Sequence, residues 1–214
     1  MPSTHERAWH GVCDGELGRT RTEETIVAVE QRSRIIQGWP EESQEAAQLV
    51  IDARGDPDEV TPTQLTWLGE RAAPWKRIVA TRAFFEHKFP APHNDSVESF
   101  LDYRVPVEHF TPLAEFDGSV ICERTAGEMS ARCHDEQANY LALNLAHEIV
   151  TGERTAQDAR DYYAKEFLDA RRKQPTPYME GLRFTPSSGS AADPDERVLS
   201  DQQLEAAKDE GAAA

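Results

Sequence analysis

The apolar pattern of this chain changes period twice, and that order constrains the fold more than any other feature. Up to Gly55 apolar residues recur at helical spacing, from Gln64 to Cys133 they follow strand spacing, and from Asp135 to Lys173 helical spacing returns. A parallel doubly wound sheet needs strands and helices in alternation, which the chain lacks. The order predicts an α+β protein: an antiparallel sheet of about five strands with helices packed on one face.

The boundaries follow from punctuation. Thr20 and Glu23 have capping-box spacing, and Ile26, Val29, Ser33 and Ile36 share one face of a first helix that Gly38 stops. Pro40, Glu41 and Glu42 open a second, whose stripe is Ala46, Leu49, Val50 and Ala53 and which Gly55 closes before an Asp56-Pro57-Asp58 turn. Strands are expected at Gln64–Leu68, with Leu65 and Trp67 on one face, at Trp75–Glu86 and at Val97–Val105, with a loop from Gly69 to Pro74. Phe110, Leu113 and Ala114 suggest a short helix made irregular by Pro112. A hairpin, Ser119–Thr125 with Glu128–Cys133, turns at Ala126-Gly127. Helices follow from Asp135 to Thr151 and from Thr155, capped with Asp158, to Lys173, after which Tyr178–Phe184 is apolar enough to dock back. Residues 1–19 read as a polar lead-in, 20–185 as a single domain, and 186–214 as an acidic tail that is disordered or at most loosely helical.

Charge excludes one class of partner. Asp and Glu number 39 against 23 Lys and Arg, so the net charge is −16, and such a field repels phosphate backbones; no nucleic-acid partner is expected. Only five of the 23 bases are Lys, a halophile-like composition that an Arg-favouring codon bias produces equally well. No run approaches the roughly 18 residues of a membrane span, and Met1–Thr20 holds no apolar signal core. The expectation is therefore a cytoplasmic protein with no membrane partner. No P-loop, dinucleotide fingerprint, His-Glu-x-x-His, Cys-x-x-Cys or nucleophile elbow occurs, so no cofactor is expected.

Three cysteines, at 13, 122 and 133, cannot all pair within one chain. A two-residue turn at Ala126-Gly127 places Thr125 opposite Glu128, Cys122 opposite Ala131 and Cys133 opposite Val120. Both hairpin cysteines then lie on the apolar face, diagonal at about 7–8 Å, which is poor disulfide geometry. If the strand persists that far, parity sends His134 to the other face from Cys133, so that adjacent pair is not expected to act as a dyad. On the polar face Glu123 and Arg132 are expected to pair.

Two groups of residues carry candidate chemistry. His87, His93 and Asp95, around a proline-stiffened loop, offer two imidazoles and a carboxylate, a donor set that suits a metal ion; the bland reading is a solvated loop. On the helix from Asp135, more than half of the circumference is apolar, Asn139 falls within that arc, and Tyr140, Asn144 and His147 form a stripe that suits a ligand or a general base. The bland reading there is a polar seam. Arg171-Arg172-Lys173, with Arg183, is the basic cluster; it suits phosphate or an acidic partner, and the simpler expectation is that it complements the negative end of its helix. Trp39, Trp67 and Trp75 are expected in or beside the core. Lacking a catalytic signature, the chain is expected to act by protein–protein interaction or self-association. The alternative is a small enzyme, or a small-molecule or metal-binding protein, with a pocket between sheet and helices.

Overall fold

Pro40 sets the first helix in the computed structural model, which describes residues 36–186 and 195–212. Its carbonyl accepts the first helical N–H, from Gln44 at 2.9 Å, and helix α1 runs Glu41–Arg54. Acidic Glu41 and Glu42 occupy the positive end and Arg54 the negative end. Gly55 ends the helix with φ 76, a conformation that favours glycine. The buried stripe is Ser43, Ala46, Ala47 and Val50; Leu49, expected inside, is 44% exposed. Small side chains let α1 lie close to the sheet, and the Ser43 hydroxyl donates to the Arg82 carbonyl at 3.0 Å.

The remaining elements are β1 (Glu59–Thr61), β2 (Gln64–Leu68), α2 (Gly69–Ala72), β3 (Arg77–His87), β4 (His93–Asp102), α3 (Phe110–Phe116), β5 (Val120–Glu123), β6 (Glu128–Cys133), α4 (Glu136–Val150), α5 (Ala156–Arg171) and α6 (Asp201–Ala212). They form an α+β protein with a six-stranded antiparallel sheet in the order β1-β2-β3-β4-β6-β5. The sixth strand is β1, a three-residue edge too short and too exposed to show a period in the sequence. Among the described residues, no helix is long and apolar enough to cross a membrane. The expected lead-in, the first helix from Thr20, and Cys13 lie outside the described residues.

Contacts divide the chain into two units, one of residues 1–99 with 132–138 and the other of residues 100–131 with 139–214. The first unit is organised by tryptophans. Trp39, Trp67 and Trp75 are all buried, and each indole N–H has an acceptor: the Pro62 carbonyl, the Gly55 carbonyl and Glu136 Oε1, at 2.9, 2.9 and 3.0 Å. Burying the rings while satisfying their N–H groups avoids the penalty of an orphaned donor. Glu136 also receives the Arg54 guanidinium in a two-pronged ion pair, which ties the end of α1 to the start of α4.

In the second unit, Pro112 does not disturb α3, because it sits in the first turn, where its missing N–H would have no intrahelical acceptor. The β5–β6 register differs from expectation by two residues. Glu123 faces Glu128 and Cys122 faces Met129 across a four-residue loop. The Glu123 carboxylate accepts the N–H groups of Thr125 (3.0 Å) and Ala126, which separates the strands earlier. A shift of two keeps every side chain on its expected face. Glu123 is thereby unavailable to Arg132, which in the first unit instead lies 3.7 Å from Glu98 and stacks over Phe85 at 4.2 Å. Cys122 and Cys133 are free thiols. Helix α6 and residues 195–200 expose every described side chain.

Helix α5 carries the expected capping box: the Thr155 hydroxyl accepts the Asp158 N–H at 3.1 Å, and the Asp158 carboxylate accepts the Thr155 N–H at 3.3 Å. Thr155→Ala should lower stability by about 1 kcal/mol, and Thr155→Ser by far less. Urea unfolding of both variants, read by circular dichroism, checks this; equal losses would contradict the cap.

Candidate metal centre

Strands β3 and β4 are joined by Lys88-Phe89-Pro90-Ala91-Pro92, so His87 ends one strand and His93 begins the next. Strand β4 starts four residues before the expected Val97. Apolar alternation cannot mark this stretch, because its first residues, His93, Asn94 and Asp95, are polar. Starting the strand there puts His93 and Asp95 two positions apart, on the same side of the backbone. It also brings the two imidazoles to 5.0 Å between ring centroids.

Asp95 is the centre of this group. Its side chain has no solvent exposure, and an imidazole nitrogen lies against each oxygen: His93 Nε2 is 2.9 Å from Oδ1 and His87 Nδ1 is 3.2 Å from Oδ2. The ligand atoms of His87, His93 and Asp95 all lie within 4.8 Å of one another. His93 Nδ1–H donates to the Ala91 carbonyl at 2.8 Å, which fixes the ring and directs Nε2 inward. That nitrogen is also 3.3 Å from Cys133 Sγ, on β6. Both histidine side chains are about one-sixth exposed, at 18% and 17%, and help line a surface cavity of about 380 Å³ with Glu86, Lys88, Pro92 and Asn94.

The electrostatics follow from burial. Burial is the largest single influence on His93 and pulls its pKa down, yet bonds to Asp95 and Cys133, together with the Ala91 carbonyl, raise it from 6.5 to about 11. An imidazolium therefore sits beside the buried carboxylate. This contribution to stability is fully present below 6.5 and is lost as the pH rises through about 11. Burial pushes the Cys133 thiol up, against the opposing pull of His93.

A Cys-His-Asp nucleophile is the obvious alternative, and the geometry argues against it. A triad uses one imidazole nitrogen for the nucleophile and the other for the carboxylate. Here Asp95 and Cys133 both face Nε2, while Nδ1 is committed to a backbone carbonyl. Cys133 is 7% exposed and its thiol is held protonated, both unsuited to attack on a substrate. The Cys–His contact also comes from His93, forty residues away, and not from the neighbouring His134. The strand ends at Cys133, so parity does not extend to His134, and no periodic signal points to His93.

The second candidate group lies on α4, in the other unit. Asn144, buried, donates to the carbonyls of Tyr178 (3.0 Å) and Gly181 (2.8 Å) and accepts the Arg183 N–H at 2.7 Å. Its amide thus fastens the segment after α5 onto α4, the docking expected for Tyr178–Phe184. His147 stacks on Phe184, with centroids 4.1 Å apart, and its Nδ1 is 2.8 Å from the Tyr103 hydroxyl. Asn139 is buried and Tyr140 half-buried on the same helix. Arg172 lies 3.6 Å from Asp169 and Arg171 stacks on Phe167, both at the C-terminal end of α5.

No protein-family model, curated protein or solved structure matches this chain. The chemistry of these residues is accordingly argued from geometry.

Burial holds the His147 imidazole below the usual 6.5, against the pull of Glu153 and Glu148. The unfolded chain takes up a proton here more readily than the folded one, so the contribution of His147 is full above 6.5 and declines as the pH falls below it. His93 acts with the opposite sign, so the useful readout is a difference. The stability advantage of wild type over His147→Gln should shrink between about pH 8 and pH 5. Thermal melts across that range check it, and a constant advantage would contradict the assignment.

Proposed function

We propose that this protein binds a divalent transition-metal ion of the zinc class through His87, His93 and Asp95. The observation that carries the reading is the convergence of two imidazole nitrogens on one fully buried carboxylate, with all three ligand atoms within 4.8 Å of one another. Tetrahedral zinc ligands stand about 3.3–3.6 Å apart, given metal–ligand distances of 2.0–2.3 Å. His93 and His87 stand 2.9 and 3.2 Å from the two oxygens of Asp95, near that spacing, and side-chain rotation is what would bring them to one ion. Imidazole and carboxylate together suit a borderline ion, whereas magnesium and calcium take oxygen ligands.

The surroundings support this reading. The His93 bond to the Ala91 carbonyl is the outer-shell partner that metal-bound histidines commonly have. A dication takes the place of the proton on Nε2, so the buried carboxylate keeps a positive neighbour. The cavity beside His87 and His93 provides an entry path.

Exposed tryptophans would offer a contact surface for self-association. Trp39, Trp67 and Trp75 are buried and hydrogen-bonded, so they supply no such surface.

Native mass spectrometry of the full chain should show one zinc equivalent. Zinc at about 100 times its dissociation constant should stabilise the protein by about 2.7 kcal/mol, visible as a raised Tm. Asp95→Asn and His87→Gln should each abolish or sharply weaken uptake. Uptake unchanged in both variants, or none by wild type, would refute the proposal.

A further inference from the structure

Resting on that reading, the geometry points to Cys133 as a fourth ligand, which makes the centre a closed thiolate site that prefers thiophilic ions such as zinc, cobalt(II) and cadmium.

The placement is the first argument. Cys133 Sγ lies 3.3 Å from His93 Nε2, the nitrogen that also faces Asp95. For a nitrogen and a sulfur on one tetrahedral zinc, the separation is about 3.6 Å, close to this contact. Cys133 is also the one donor from outside the β3–β4 hairpin, at the end of β6. His87, His93 and Asp95 alone would bind an ion to the hairpin; with Cys133 the ion cross-links the hairpin to β6.

Charge is the second argument. Asp95 is fully buried and Cys133 nearly so. A dication held by two neutral imidazoles and one carboxylate leaves a net positive charge in poorly solvated surroundings, which is costly. When the Sγ–H bond breaks, its proton goes to solvent and the sulfur pair forms the metal bond, so the centre becomes neutral. The thiolate also shifts selectivity from hard cations towards soft ones. Four protein ligands close the tetrahedron, as in structural zinc sites, and leave no position for a water nucleophile. The centre then acts as a staple or a metal sensor, not as a hydrolytic site.

Cobalt(II) titration of the full chain tests this, because thiolate ligation adds an intense ultraviolet charge-transfer band to the visible bands of tetrahedral cobalt. Wild type should show both. Cys133→Ser should still bind cobalt, but without the thiolate band and with affinity reduced by at least the roughly 10–100-fold that loss of an outer-shell partner causes. Visible bands without a thiolate band in wild type would overturn the role of Cys133 and leave the three-ligand site standing. No cobalt uptake by wild type would overturn both. The wild-type spectrum decides the question even where the serine variant fails to fold.

Discussion

A carboxylate with no contact to solvent is the constraint around which this end of the sheet is arranged. Removing one ion from water costs on the order of several kcal/mol, and only nearby positive charge and hydrogen bonds offset it. Asp95 meets that need with an imidazole on each oxygen. The hairpin must therefore bring His87 and His93 together, and β4 must begin at His93. The Ala91 carbonyl must also hold one ring so that its second nitrogen points inward. A proton on His93 satisfies that charge, and a metal ion bound as proposed would take over the same role.

The same economy appears elsewhere in each unit. In the first, Glu136 accepts from both Arg54 and Trp75, so one side chain serves a helix end and a buried indole. In the second, one Asn144 amide makes three bonds to the backbone of a segment that has no regular structure of its own. Asn144, which in isolation reads as a possible binding residue, has its amide engaged in such a connection.

What the sequence showed, and what it hid, separates along physical lines. Helices α1, α4 and α5 are legible because proline, glycine, acidic first turns and the Thr155–Asp158 box mark their ends, and the β5–β6 faces because parity survives a slip of two residues. Strand β1 and the start of β4 are hidden because neither stretch alternates apolar with polar residues. Leu49 falls on the apolar stripe by spacing yet is exposed, because spacing fixes a helical face only to within a residue or so. At the candidate centre, His87, His93 and Asp95 stand out as donors close in sequence. Cys133 does not, because its closeness to His93 depends on which strands lie together, and no local pattern encodes that.

One consequence of the way the chain divides is spectroscopic. The described tryptophans, Trp39, Trp67 and Trp75, all belong to the unit that holds the candidate centre, whereas all five tyrosines (103, 140, 162, 163 and 178) belong to the other. The chain thus carries a separate chromophore in each half. Indole emission reports the melting of one unit and phenol absorbance that of the other. Whether the two signals coincide tells directly whether the halves unfold as one cooperative body or in turn.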